Sequence, residues 1–215
     1  MNEGIIGMPE GFWGRKLGMT QVFDGDKVLP VTAIDVAHWF VIGVRTVERD
    51  GYNALCIALL KKRYVDQSFD LDWLRFTHRY FDFVREVRVD DPADQELVGK
   101  AFNPCEHAKV GDLCDVRGTT RGRGFQGVIK RHNFRGAPGS HGSMQGRRPG
   151  SIGSERSEGE VFKGKKLPGQ MGAKTKSVQN LRVARIEEAG NMVMLVGAVP
   201  GHSGSLVFVH KAKRG

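Results

Sequence analysis

The chain has 215 residues and a formal net charge of +9 at pH 7, with a pI near 9.7. A hydrophobic content of 40% is enough for a folded core, and the sequence contains no long apolar run that could form a transmembrane helix. Three cysteines, odd in number and widely spaced, argue against a disulfide framework and for a reducing compartment. The first residues show no secretory signal pattern, so we expect a cytoplasmic protein, with an organelle matrix as the alternative.

The first sixty residues predict β-structure. Runs rich in valine, isoleucine and aromatic residues occupy Val28–Asp35, Trp39–Val47 and Tyr52–Leu60, with turn signals between them. Residues 61–84 then place seven aromatic side chains among charges without a clear helical or strand period. We interpret this stretch as a helix-containing insertion whose aromatic side chains serve packing more than RNA stacking.

Further strands are predicted on both sides of residues 117–176. They are Arg85–Asp90, Lys109–Arg117, Leu181–Ile186, Met192–Val199 and Ser205–Val209. Many short strands with little helical signal indicate a mainly β fold, specifically a closed antiparallel β-barrel. The barrel body would comprise residues 1–116 and 177–215, with 61–107 as a variable insertion. Residues 117–176 would then be one long irregular extension inserted between strands.

Residues 117–176, here called the basic segment, concentrate the charge of the chain. They hold fourteen of the 33 lysines and arginines, fourteen of the 29 glycines and only three acids, so they carry +11 and the rest carries −2. Such a segment cannot build its own core, and we expect it to be mobile until a polyanion orders it. Because lysine and arginine neutralise phosphates and glycine permits close backbone approach, the partner predicted is a large folded RNA. The segment has only three aromatic residues, which favours recognition of RNA shape and backbone over stacking on splayed bases.

Two glycine motifs in the basic segment approach nucleotide-binding signatures. Residues 122–127 (GRGFQG) fit G-x-G-x-x-G but lack the βαβ pattern and the downstream acid of a dinucleotide site. Residues 159–166 (GEVFKGKK) nearly fit a P-loop, but Lys166 replaces the hydroxyl that would hold Mg²⁺. The cysteines and histidines show no paired zinc spacing. We therefore expect no cofactor and no metal site, apart from structural Mg²⁺ associated with the RNA.

Several blocks, in order along the chain, resemble a single family. Residues 117–134 (RGTTRGRGFQGVIKRHNF) resemble the signature GTSKGKGF-G-KRWNF of large-subunit ribosomal protein L3, in its bacterial and organellar form. Further similar blocks are 14–20 (GRKLGMT), 148–153 (RPGSIG), 161–172 (VFKGKKLPGQMG), 178–181 (VQNL) and 196–201 (VGAVPG). Together they cover nearly the whole chain outside 61–107.

The resemblance implies a fold, a role and partners. The fold would be a translation-protein-type β-barrel, and the chain would be a structural constituent of the large ribosomal subunit rather than an enzyme. It would bind large-subunit rRNA near the 3′ domain, support early subunit assembly and reach towards the peptidyl transferase centre. The large-subunit proteins numbered fourteen and nineteen in the usual bacterial count would be its neighbours, without membrane contact or homo-oligomer. The alternatives are a non-ribosomal RNA-binding factor and an RNA-modifying enzyme that uses the glycine-rich loop.

The side chains expected to contact RNA are cations and histidines, most of them in the basic segment. They are Arg15, Lys16, Arg117, Arg121, Arg123, Lys130, Arg131, His132, Arg135, His141, Arg147, Arg148, Arg156, Lys163, Lys165, Lys166, Lys174 and Lys176. The glycines expected to give flexibility or close approach are Gly122, Gly124, Gly127, Gly150, Gly153, Gly164 and Gly172.

One stretch departs from the family pattern. Many bacterial relatives carry a glutamine, methylated on its side-chain amide, shortly after the PGSIG block, whereas here Arg156 stands at that place. We therefore expect that modification to be absent. Three acids, Glu155, Glu158 and Glu160, also lie where the loop should meet phosphate. They could pair with Arg156 or Lys163, or face a magnesium ion, and the sequence leaves this open.

Overall fold

A computed structural model describes residues 10–212 except 66, 68, 91–94, 107 and 155–158. The described residues belong to two compact units, the body (residues 1–119 with 175–215) and the extension (residues 120–174). Within them the strands are β1 Gly11–Asp24, β2 Lys27–Asp35, β3 Trp39–Arg45, β4 Ala54–Leu60, β5 Phe81–Arg88, β6 Leu113–Thr119, β7 Phe125–Gln126, β8 Gly169–Gln170, β9 Thr175–Glu187, β10 Met192–Val196 and β11 Leu206–Lys211. The short helices are α1 Val47–Asp50, α2 Thr77–Tyr80 and α3 Val128–His132, with 3-10 turns at Lys62–Tyr64, Leu71–Phe76, Gln95–Leu97 and Pro104–Glu106.

Six strands of the body close into a barrel in the order β1-β11-β6-β9-β10-β2, and all neighbouring pairs are antiparallel. Side-chain alternation decides which residues point inwards. In β10, Val193 and Leu195 are fully buried, and in β11 Val207 and Val209 are buried, while their immediate neighbours are only partly covered. The predicted mainly β fold with a closed antiparallel arrangement is confirmed.

β3, β4 and β5 lie outside the barrel and form a separate sheet in the order β3-β4-β5. β4 is buried along its whole length, as a strand covered on both faces of its sheet must be. Leu55 and Ile57 join the main core, together with Ile34 and Leu195 of the barrel. The predicted barrel is therefore a six-stranded barrel that shares its core with a second sheet.

The aromatic-rich stretch 61–84 covers the other face of this sheet. A second apolar cluster contains Leu60, Trp73 and Phe81. Around it the rings of Trp73 and Tyr80 stack with centroids 5.1 Å apart, and Tyr64 lies 5.0 Å from Tyr80. The segment contains α2 and two 3-10 turns, and its aromatic side chains pack locally except for Phe76, which is 54% exposed.

Several strand boundaries differ from the sequence prediction. The strand predicted as Trp39–Val47 ends at Arg45, because residues 47–50 turn into α1. The strand predicted from Lys109 begins at Leu113, since a turn closes with the Asp112 N–H 3.2 Å from the Lys109 carbonyl. β9 extends far beyond the predicted Leu181–Ile186, because residues 175–182 pair with β6 and residues 183–187 pair with β10. β1 likewise pairs with β11 along its first part and with β2 along its second part.

The three cysteines are free and buried. Burial raises the pKa of the Cys114 thiol to about 12, and the nearby carboxylates of Asp115 and Asp112 act in the same direction. Its Sγ lies 3.1 Å from the Leu181 carbonyl. Cys114 is therefore a protonated core residue at neutral pH.

Candidate nucleic-acid interface

The extension begins and ends on a two-stranded ribbon of backbone hydrogen bonds, formed by residues 120–126 and 169–174 and here called the ladder. The N–H of Thr120 donates to the carbonyl of Lys174 at 2.9 Å, and two further bonds of 2.9 Å follow along the ribbon. β7 and β8 then continue it as an antiparallel pair. The sequence predicted order only on binding a polyanion, but the ladder satisfies its backbone groups within the chain.

Beyond the ladder, α3 brings two predicted RNA contacts onto the returning chain. The Arg131 guanidinium donates to the Leu167 carbonyl, and Nε2 of His132 lies 3.1 Å from the same oxygen. The guanidinium also lies against Gly169, where an added Cβ would be 2.9 Å from its Nη1. This arrangement, here called the clasp, joins residues 35 and 36 positions apart in the chain.

The seven glycines predicted for close approach fall into two groups. An added Cβ would meet nothing within 4 Å at Gly124, Gly127 and Gly164, whereas at Gly122, Gly150, Gly153 and Gly172 it would meet the chain itself. Gly172 is the most constrained, since its φ is +73° and a Cβ there would collide with the Arg121 carbonyl. Because Gly172 has no side chain, the two strands of the ladder can pair at this position, whereas Gly124 leaves open space beside the ladder.

In the part of the extension that the structure describes, the cations are mostly exposed and form no ion pair with a carboxylate. Its described residues include eleven lysines and arginines and one acid, Glu160. All eleven except Arg131 are exposed: Arg121, Arg123, Lys130, Arg135, Arg147, Arg148, Lys163, Lys165, Lys166 and Lys174. Within the described residues, every ion pair lies in the body. Ten exposed cations thus face solvent without internal neutralisation.

The middle of the extension is organised by turns. The N–H of Ala137 donates to the Gly146 carbonyl at 2.9 Å, and the N–H of Arg148 to the Gln145 carbonyl at 3.0 Å. His141 is exposed with a φ of +58°. Arg156, Glu155 and Glu158 lie outside the described residues. Glu160 is exposed and has no ion pair within the described part of the chain.

Four predicted RNA contacts belong to the body. Arg117 in β6 and Lys176 in β9 are exposed on neighbouring strands of the barrel. Arg15 pairs with Asp82, with 3.3 Å between Nη2 and Oδ2, and its side chain is 22% exposed. The Lys16 ammonium donates to two main-chain carbonyls of the body, at 2.7 and 3.1 Å. Arg15 and Lys16 therefore already hold interactions within the body.

Exposed apolar side chains of the extension were not predicted as site residues. Phe125 is 75% exposed, Met144 90% and Phe162 56%. The sequence could show that these residues are apolar, but not that the extension leaves them uncovered. In the part of the chain that the structure describes, no helix is long and apolar enough to cross a membrane. Nor do its acidic, cysteine and histidine side chains gather into a group of three that could hold a metal ion.

Comparison with known proteins decides the family. Residues 91–191 match the family model of ribosomal protein L3. The large ribosomal subunit protein uL3 of Geotalea daltonii is 42% identical over 220 residues, covering 100% of both chains. That of Thermosipho melanesiensis is 40% identical over 202 residues, covering 94% of this chain and 98% of the relative. That of Syntrophotalea carbinolica is 41% identical over 210 residues, covering 96% and 100%. The chain belongs to the ribosomal protein L3 family.

Membership of the ribosomal protein L3 family confirms the predicted resemblance and a structural, non-enzymatic role. The structural settings of the two glycine motifs agree with this non-enzymatic role. The motif 122–127 runs through the ladder into the five-residue α3, without a βαβ unit around it in the described residues. The motif 159–166 lies in irregular chain with a turn at Lys163 and Gly164, not behind a strand. The first motif leads only into a single short helix and the second into irregular chain, so neither has the strand–loop–helix setting of a nucleotide-phosphate site in the described residues.

Proposed function

We propose that this member of the ribosomal protein L3 family is a structural constituent of the large ribosomal subunit and binds large-subunit rRNA through its basic segment, 117–176. The carrying observation is the set of ten exposed cations that have no carboxylate partner within the described residues of a short extension. Like charges at this density repel one another, and phosphates that approach them release condensed counterions. The extension is thus built for a densely charged polyanion.

The two units have separate tasks in this proposal. The body folds on its own core and serves as the anchor. Arg121, Arg123 and Lys130 near the ladder fix the direction of entry into RNA. Lys163 and the following lysines line the return path, and the arginines between 147 and 156 contact RNA at the far end. The exposed glycines let phosphates approach the backbone.

Finer parts of the role rest on the family resemblance and on this charge distribution. The chain acts on the ribosome in the cytoplasm, contacts rRNA near its 3′ domain and supports early assembly of the subunit. The far end of the extension reaches towards the peptidyl transferase centre, where it supports RNA and leaves the chemistry to RNA. Large-subunit proteins fourteen and nineteen are its protein neighbours, and structural Mg²⁺ accompanies the rRNA.

High-salt washing of ribosomes tests the proposal against a factor that only visits the ribosome. Purified ribosomes are washed in rising salt, and the chain is quantified in the large subunit and in the wash. A constituent whose extension is enclosed by RNA stays with the subunit until other integral proteins leave. Release at the salt concentration that removes translation factors would contradict the proposal.

Deletion of residues 136–160 tests the division of labour. The variant should keep a folded body, seen by far-UV circular dichroism, because the barrel core uses none of these residues. It should yield large subunits that mature slowly or have low activity. Loss of the body fold would show that the two units are not separable, and normal maturation would show that the extension is dispensable.

A further inference from the structure

Phe125 is an aromatic side chain that the fold leaves uncovered. It lies in β7 opposite Gln170 and is 75% exposed. In the part of the chain that the structure describes, its ring makes no aromatic or cation–π contact. Phe134, in contrast, is half-buried with its ring 6.2 Å from that of His132. An apolar ring held in water in this way is stabilised when a ligand covers it.

The surroundings of Phe125 select the chemistry of that ligand. Arg121 and Arg123 precede it, both exposed and without a carboxylate partner in the described residues. Beside it, a Cβ on Gly124 would meet nothing within 4 Å, so the approach is open. A ligand that satisfies both features carries anionic groups close to flat apolar faces. Single-stranded nucleic acid combines phosphates with exposed base faces in this way.

The backbone under Phe125 is held before any ligand arrives. β7 pairs with β8, and the Gln126 side-chain amide donates to the Arg123 carbonyl. One step earlier, the Met171 N–H donates to the Gly124 carbonyl at 2.9 Å. Because the strand is already fixed, stacking on the ring requires little additional ordering of the protein.

We propose that Phe125 is a stacking platform for one unpaired base of the RNA that the extension binds. The proposal rests on the proposed function, since it concerns the same RNA. It adds a base contact to a surface whose few aromatic residues predicted recognition of shape and backbone alone. Helical RNA does not satisfy it, because the faces of its bases are occupied by their stacked neighbours.

Binding of deproteinised large-subunit rRNA by full-length variants tests the platform. Phe125→Leu keeps an apolar side chain but removes the aromatic face, so affinity should fall about five- to tenfold. Phe125→Tyr keeps the aromatic face and should bind within about twofold of the wild type. The slope of log affinity against log salt should be the same for all three proteins, because no charge changes.

The body provides a matched control for the loss of an exposed phenylalanine. Phe23 is also 75% exposed in a strand, but Asp24 follows it directly in sequence. Phe23→Leu should therefore leave rRNA affinity unchanged. Equal affinities for Phe125→Leu and the wild type would overturn the platform, and so would equal losses for Phe125→Leu and Phe23→Leu. A shallow salt slope for the wild type itself would instead contradict the proposed function.

Ultraviolet crosslinking of wild-type large subunits, followed by mass spectrometry, is a second test of the platform that does not depend on any variant. The peptide that contains Phe125 should be joined to a nucleotide that is unpaired in the rRNA secondary structure. A crosslink to paired nucleotides only, or the absence of any crosslink from this peptide, would overturn the platform even if Phe125→Leu failed to fold.

Discussion

The body and the extension differ in the partners of their charged side chains. In the body, the Glu86 carboxylate accepts hydrogen bonds from Tyr52 at 2.7 Å and from Arg45 at 3.3 Å, and Arg45 also pairs with Asp50 at 2.9 Å. In the described part of the extension, ten exposed cations have no such partner. Outside the basic segment the acids outnumber the lysines and arginines by two, whereas the described extension holds eleven cations and one acid, so its positive charge remains available to another molecule.

Burial shows the same contrast. The core of the body joins the barrel and the second sheet, and includes Trp39, Leu55 and Leu195 with at most 1% exposure. Among the described residues of the extension, Val128 is the one buried apolar side chain. The extension is instead held by the backbone bonds of the ladder and by the clasp. Its order therefore depends on hydrogen bonds, and that of the body on apolar packing.

The largest effect is expected from the core of the body. Leu195 in β10 is fully buried, so Leu195→Ala should lower the free energy of unfolding by about 2–5 kcal/mol. Met144→Ala in the extension removes a side chain that is 90% exposed and should change it by less than about 0.5 kcal/mol. Urea titration followed by circular dichroism measures both. Similar losses would mean that the extension shares the core.

Removing three free cations should weaken rRNA binding next most strongly. The triple variant Lys163→Gln, Lys165→Gln and Lys166→Gln should lose at least tenfold in affinity at moderate salt. Its log–log salt slope should become shallower by about 2 to 3, because each lost phosphate contact removes about 0.7 to 0.9.

A matched triple on the body changes the net charge equally. Arg49, Arg75 and Arg182 are exposed, and each lies within 4 Å of a carboxylate, at 3.9, 3.6 and 3.7 Å. Changing all three to glutamine should leave the salt slope nearly unchanged. Equal slopes for the two triples would show that net charge matters and its location does not.

Variants of the clasp should reduce rRNA affinity less than the triple lysine variant does, and they should leave the salt slope unchanged. Arg131→Ala loses the hydrogen bond to Leu167, and Gly169→Ala places a methyl group against the guanidinium without changing charge. We expect each to reduce rRNA affinity a few-fold with an unchanged salt slope, because both loosen the root of the extension. Arg121→Ala should instead make the slope shallower by about 1. A change of that size for Arg131→Ala would show that Arg131 also contacts a phosphate, as the sequence predicts.

The smallest expected effect is on the pH dependence of the body's stability. The hydrogen bond from Tyr52 lowers the pKa of the Glu86 carboxyl, with support from Arg45. Its contribution to stability is present above about pH 5, the upper end of the range in which an unfolded glutamate titrates, and is lost as pH falls through the folded-state pKa. Glu86→Gln should cost less than about 1 kcal/mol at pH 7, because the pair is largely exposed. Thermal melts of the variant and the wild type should converge once the pH falls below the folded-state pKa of Glu86. A difference that persists there would contradict the ionic origin.

The sequence correctly predicted those strands whose residues themselves favour β-structure. Val28–Asp35 was predicted as a strand and β2 occupies Lys27–Asp35, since its β-branched residues suit a pleated surface. β1 was largely missed because its sequence, GFWGRKLGMTQVFD, mixes glycines and cations with apolar residues. Its β conformation comes from pairing with β2 and β11, a long-range effect that no local pattern contains.

The candidate site shows the same limit. The concentration of lysine and arginine in the sequence was sufficient to predict the exposed cations. It could not show that Lys16 is held by carbonyls of Val199 and Gly201, or that Arg131 reaches Leu167. Those contacts join residues 183, 185 and 36 positions apart. Their existence depends on the folded chain.

The salt dependence of rRNA binding by the full chain tests the central claim most directly. If the free cations of the basic segment neutralise about ten phosphates, log affinity should fall against log salt with a slope of about −7 to −9. A slope shallower than about −3 would show that fewer than five phosphates are neutralised, and would contradict the assignment of the extension as the RNA-binding surface.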